Sequence, residues 1–213
     1  MFSLKQVVPY PLEGQINHSQ IWNQDYDFDS KKRYFVLAPS GTGKTTLQHL
    51  LYGLRSDYQG IISIQGIGKN IKQLSLVEWA KLRREQLAIV FQDLRLFPQL
   101  TALENIELKN QLCQHKTVAQ IKDMADRLGV VNLLDKPSGI LSYGQRQRVA
   151  IIRALVQPFR FLLMDEPFAH LDQDNIQKAC SLIQEISEDQ GAGILLASLG
   201  DRYYLHYDQE LKL

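Results

Sequence analysis

The sequence predicts an α/β fold, a parallel sheet with helices on both faces, and three observations carry that expectation. Short apolar runs recur along the chain, alternating with segments whose apolar residues fall three and four apart. One such run ends in a glycine-rich loop that opens a helix, the order expected at the edge of an open α/β sheet. A stretch of helical pattern from about 101 to 139 interrupts the alternation and reads as an inserted lobe.

Residues 2–8 and 20–28 read as extended pieces, and 34–37 as a short buried strand. A helix over 45–54 is stopped by polar residues and Gly60. Residues 60–66 alternate in strand fashion, 76–85 are helical and 87–91 form a strand. Helices over 102–113 and 118–128 carry apolar residues at helical spacing, and Pro137 and Gly139 break the pattern. A helix over 145–157, a buried strand over 159–164, a helix over 175–187 and a buried strand over 193–197 complete the series. Strands this apolar need cover on both faces. We expect a single domain over 1–213, with 1–37 largely β, 38–92 and 140–213 forming the sheet core, and 93–139 the helical insertion.

Composition narrows the function. With 45% hydrophobic and 22% charged residues the chain is an ordinary globular one. A net charge of +1 gives no electrostatic support to nucleic-acid binding. Residues 1–11 hold Lys5, Pro9 and Pro11 and no apolar run of leader length, and no stretch approaches the ~20 apolar residues of a membrane span. The chain ends soon after the last core strand, so no regulatory domain is expected. Cys113 and Cys180 are far apart, without metal-like spacing, and read as free thiols.

Two motifs carry chemistry. Ala38-Pro39-Ser40-Gly41-Thr42-Gly43-Lys44-Thr45-Thr46 follows a strand and opens a helix. Glycines let the backbone curl round an anion, and successive N–H groups at the positive helix end face phosphates. Lys44 adds a point charge for the β- and γ-phosphates, and the Thr45 hydroxyl suits Mg²⁺. The second motif is Phe161-Leu162-Leu163-Met164-Asp165-Glu166. A buried strand would place Asp165 at the carboxyl end of the sheet, where it can hold Mg²⁺, and Glu166 where it can orient and deprotonate a water. Together they point to a P-loop NTPase core that transfers a phosphoryl group from a nucleoside triphosphate to water.

The segment Leu141-Ser142-Tyr143-Gly144-Gln145-Arg146-Gln147-Arg148-Val149-Ala150 resembles the signature of ABC (ATP-binding cassette) proteins, usually Leu-Ser-Gly-Gly-Gln followed by a basic helix. The resemblance covers essentially the whole chain. It implies an ATP-binding subunit of a transporter, with an N-terminal antiparallel β subdomain beside the parallel sheet. It further implies head-to-tail pairing with a second copy or a paralogous cassette, so that Ser142, Gly144 and Gln145 of one subunit meet the nucleotide of the other. Gln92 resembles the glutamine that reaches Mg²⁺ and senses the membrane subunit, and Leu171-Asp172 the loop that crosses the dimer interface. Tyr10 is the candidate aromatic for adenine, with Trp22 and Phe28 competing. The apolar segment from Asp93 to Leu100 resembles the groove that receives a helix of the membrane permease. Leu96-Phe97-Pro98 with Thr101 to Asn105 is similar to cassettes of the lipoprotein-release, macrolide-export and cell-division type. The implied location is cytoplasmic, peripheral on the inner membrane face.

Three positions depart from the pattern. Ala38 and Tyr143 stand where glycine is usual, and Leu199 where the family carries a histidine against the γ-phosphate. His206 could replace it only if the loop folds back. Leucine cannot donate a hydrogen bond, so ATP binding with slowed hydrolysis, in a cassette acting as a mechanical or regulatory module, is the competing expectation.

Overall fold

The computed structural model describes residues 1–16 and 18–213. In chain order the regular elements are β1 (Phe2–Pro9), β2 (Asp25–Phe28), β3 (Arg33–Leu37), α1 (Lys44–Leu51), β4 (Tyr58–Ile64), α2 (Leu76–Glu85), β5 (Leu87–Val90), α3 (Ala102–Asn110), α4 (Val118–Arg127), α5 (Tyr143–Leu155), β6 (Phe161–Asp165), α6 (Gln173–Asp189), β7 (Gly193–Ser198) and β8 (Gln209–Lys212). They form two sheets: five parallel strands in the order β5-β6-β7-β3-β8, and three antiparallel strands in the order β2-β1-β4.

The period-2 alternation of the parallel strands divides the core in two. Phe35, Val90, Leu162, Met164, Ile194 and Leu196 face α3 to α6. Their neighbours Tyr34, Val36, Ile89, Leu163 and Leu195 face the layer of α1, α2 and the antiparallel sheet. Both faces of the parallel sheet are therefore buried, which is why its strands read as continuous apolar runs. The helices start where the sequence supplies caps. Ser75, Thr101, Thr117 and Ser142 each close a reciprocal capping box with the residue three on.

Three expectations change. The extended piece over 20–28 is a strand only from Asp25. The Ser19 hydroxyl accepts the N–H groups of Ile21 and Trp22, and this turn curls the chain before β2. The 1–37 boundary does not match the antiparallel sheet. Its third strand is β4, from the stretch assigned to the core, while β3, from the stretch assigned to the β region, joins the parallel sheet. The reason is burial. Tyr34-Phe35-Val36 is apolar on both sides and belongs between β7 and β8, whereas β4 exposes residues 59–61 and suits an outer sheet. Finally, β8 was not anticipated, because Gln209-Glu210-Leu211-Lys212 alternates with a single apolar residue. Its pairing with β3 defines it.

Candidate active site

The carboxyl ends of β3 and β6 converge on the loop before α1. Gly41 and Gly43 have φ of 83° and 99°, a left-handed backbone that favours glycine. A Cβ on Gly43 would lie 2.6 Å from Leu12 and 3.2 Å from the Trp22 indole nitrogen, so side-chain room is lacking there as well. Ala38 is fully buried, which suits a small side chain, and it donates its N–H to Ser198 O at 3.1 Å. The Thr42 hydroxyl donates to Pro39 O at 2.8 Å.

Lys44 is the first residue of α1. Its Nζ donates to Ala38 O at 2.8 Å and lies 3.2 Å from Glu166 Oε1. The ammonium is thus folded across the loop, held between a carbonyl and a carboxylate. Glu166 has φ of 47°, a strained value for a residue with a side chain, and its N–H donates to Ala197 O at 3.1 Å. That kink at the end of β6 turns its carboxylate toward Lys44.

One helical step on, the Thr45 hydroxyl donates to Asp165 Oδ2 at 2.6 Å, with Gln92 Oε1 3.4 Å away. Asp165 is only 2% exposed, and burial raises its carboxyl pKa above the usual range, the Thr45 hydrogen bond opposing. Its Oδ1 is buried without a hydrogen-bond partner. An orphaned buried carboxylate oxygen beside a hydroxyl and an amide oxygen fits a hard divalent cation. No group of three His, Cys, Asp or Glu suited to a metal occurs among the described residues. Mg²⁺ sites need only one or two carboxylates, the rest coming from phosphate and water.

A cavity of about 340 Å³ lined by Thr45, His49, Gln92, Asp93, Arg95, Tyr143 and Asp165 adjoins the site, and two of about 280 Å³ flank the loop. One of these two is lined by Ser40, Gly41, Gly43, Lys44, Thr45, Thr46, Gln92 and Glu166, with Leu12 at its wall, and brings most of the predicted phosphate-site residues together. The other, next to Ser40, Gly41 and Thr42, is walled by Leu12, Ile16, Trp22 and Leu213. Tyr10 lines neither; it is 52% exposed and its N–H bonds Asp57 O. Phe28 is buried in an aromatic cluster with Tyr26 and Tyr34. The Trp22 indole N–H donates to Thr42 O at 3.0 Å, so it braces the loop. Leu12 is the residue sequence reasoning missed, since an aliphatic side chain gives no signal. Two larger clefts, about 440 and 400 Å³, run along α6 and include none of the predicted site residues.

Ser142, Gly144 and Gln145 line neither cavity. Ser142 caps α5, accepting the Gln145 N–H at 3.3 Å, while Gln145 Oε1 accepts the Ser142 N–H at 2.9 Å. A Cβ on Gly144 would lie 2.9 Å from His170 O, so the chain before Asp172 packs against the helix start. Leu199 follows β7, is 54% exposed, and lines neither cavity; His206 is exposed and lines neither.

Comparison with known proteins identifies the family. The ABC transporter family profile matches residues 22–169. An uncharacterized ABC transporter ATP-binding protein of Mycobacterium tuberculosis is 31% identical over 204 residues, covering 94% of this chain and 82% of its own length. The lipoprotein-releasing system ATP-binding protein LolD of Shewanella denitrificans is 31% identical, covering 84% and 77%. The dimeric structure of MJ0796, a bacterial ABC transporter cassette, is similar with a TM-score of 0.84 at 26% identity, over 100% of this chain and 94% of that one. A dimeric post-hydrolysis state of MJ0796 bound to ADP and Pi gives 0.83 at 25%, with the same coverage. No helix of the described residues is long and apolar enough to cross a membrane. With the profile covering most of its length and relatives 31% identical over most of the chain, the chain belongs to the ABC transporter family as an ATP-binding cassette, an ATPase.

Proposed function

We propose that this cassette binds MgATP between two copies, or with a paralogous cassette, arranged head to tail, and hydrolyses it to drive a membrane permease. One observation carries the reading. Lys44, Thr45, Gln92 and Glu166 line one cavity and Asp165 lines the adjoining one with Thr45 and Gln92, while Ser142, Gly144 and Gln145 line neither and Ser142 is exposed at the helix start. A second grip on the same phosphate then has to come from another subunit.

In this reading the loop N–H groups and Lys44 hold the β- and γ-phosphates, and Ser40, Thr42 and Thr46 complete the cradle. Nucleotide draws Lys44 away from Glu166 and frees that carboxylate to orient and deprotonate the attacking water. Thr45, Gln92 and Asp165 would hold Mg²⁺, which when bound neutralises charge developing on the phosphates. The base lies in the cavity of Leu12 and Trp22; Tyr10 reaches it only if the 10–16 segment moves. The single domain divides into a β region, the sheet core and the helical insertion. Phe97 and Ile140, exposed and brought close by the Gly139 N–H to Pro98 O bond, offer an apolar surface to the permease. That surface supports a position at the inner membrane face, and likeness to LolD supports a lipoprotein-release type of system.

A slower cassette is the second reading, favoured by Leu199. Steady-state ATPase of the native complex beside Leu199→His decides between them. A rise of about 10-fold or more supports the slow cassette; unchanged turnover supports full hydrolysis without a histidine.

A further inference from the structure

The signature helix also reaches back into its own subunit. The Tyr143 hydroxyl donates to Gln92 O at 2.8 Å, across 51 residues of sequence. Its ring meets the His170 ring edge-on at 4.2 Å, and the Arg146 guanidinium lies 5.4 Å from its centre. Four residues on, on the same helix face, Gln147 donates to Glu166 O at 3.4 Å and accepts the His170 N–H at 3.3 Å. At the far end of α5, Arg153 donates to Arg95 O at 2.6 Å and to Leu94 O.

The segment so held is strained. Leu94 and Arg95 are consecutive non-glycine residues with φ of 60° and 48°. Such a backbone persists only when its surroundings hold it. Tyr143 and Arg153 supply side-chain hydrogen bonds to its carbonyls at 92, 94 and 95, and both belong to α5. A glycine at 143 could not supply the bond to Gln92 O.

We propose that Tyr143 is a positioning residue for hydrolysis. By fixing the Gln92 backbone to the first turn of α5, it sets the reach of the Gln92 side chain toward Thr45 and Asp165. It also ties that setting to the helix start offered to a second copy. The inference rests on the reading of Gln92 as a hydrolysis residue and deepens it.

The test compares the full chain with Tyr143→Phe, which keeps the ring and loses the hydroxyl, and Tyr143→Gly. Three quantities are read: kcat and KM for ATP, affinity for a fluorescent ATP analogue, and amide hydrogen exchange over residues 91–96. We expect Tyr143→Phe to lower kcat about 3- to 10-fold, the size one hydrogen bond carries, with analogue affinity within about 2-fold. Exchange over 91–96 should accelerate while the rest of the protein is unchanged. Tyr143→Gly should show both effects at least as strongly. Unchanged kcat, a loss of affinity matching the loss of kcat, or unchanged exchange over 91–96 in Tyr143→Phe overturns the proposal. A Gln92→Ala control, which keeps the backbone carbonyl that Tyr143 holds, separates the two levels: if it hydrolyses ATP at the parent rate, the reading of Gln92 fails, whereas the exchange measurement still judges Tyr143.

Discussion

The two cavities beside the loop are built by different means. The phosphate side rests on the ends of strands β3, β5 and β6 and on the start of helix α1, so its polar groups sit in or just beyond regular elements, even though Thr45 and Asp165 meet across 120 residues of sequence. The other side is walled by Leu12, Ile16 and Trp22, from the irregular segment after β1, and by Leu213 at the far end of the chain. The phosphate side must place charge to within a fraction of an ångström, since its work is electrostatic. The opposite side needs only apolar area and shape, which many residue types supply. A motif can therefore announce the first and not the second.

Substitutions sharpen that contrast. The largest effect belongs to the phosphate side. Glu166→Gln should lower kcat by 10² or more while leaving ATP affinity nearly unchanged, measured by steady-state hydrolysis and by nucleotide titration. A loss under tenfold would remove Glu166 as the base. On the other side the change should be in binding. Leu12→Ala is expected to raise KM for ATP about 3- to 10-fold with kcat kept, and Tyr10→Ala to change it less than about 2-fold. The reverse order would return Tyr10 to the base.

The smallest effect is on stability. Asp165 is buried, its Oδ1 lacks a partner, and its folded pKa is raised, mainly by desolvation. For an acid raised in the folded state, the folded form binds more protons. Its contribution to stability is then largest below the ordinary carboxylate value and falls as pH rises through the raised one. At neutral pH the charge is a cost that bound cation relieves. Asp165→Asn should raise the Tm of the nucleotide-free protein by about 2–4 °C at pH 7, with the gain shrinking toward pH 4, while abolishing hydrolysis. A lowered Tm at pH 7 would contradict the desolvation account.

Much of the fold is legible because its signals are local. The buried runs over 34–37, 87–91, 159–164 and 193–197 all become strands of the parallel sheet, each shifted by no more than two residues at either end. The helices expected from 76, 102 and 118 begin at those residues, where Ser75, Thr101 and Thr117 cap them. Strands at the sheet margins were harder. β8 carries one buried residue, Leu211, and exists because β3 offers it an edge. β4 begins at Tyr58, two residues before Gly60. The Gly60 backbone, at φ of 86°, sits against the bulge where Gln6 is also left-handed, and a Cβ there would lie 2.4 Å from Gln6 O.

The sequence by itself determined the chemistry. Lys44, Thr45, Asp165 and Glu166 are named by short motifs, because a loop, a helix start and a strand end fix their directions within a few bonds. Tertiary structure alone decided what lies across from them. It put Leu12 beside the loop and Tyr10 at the surface, left Leu199 outside both cavities, and tied Tyr143 to a carbonyl 51 positions earlier. Those outcomes depend on how separate segments pack, and packing distance has no counterpart in sequence spacing.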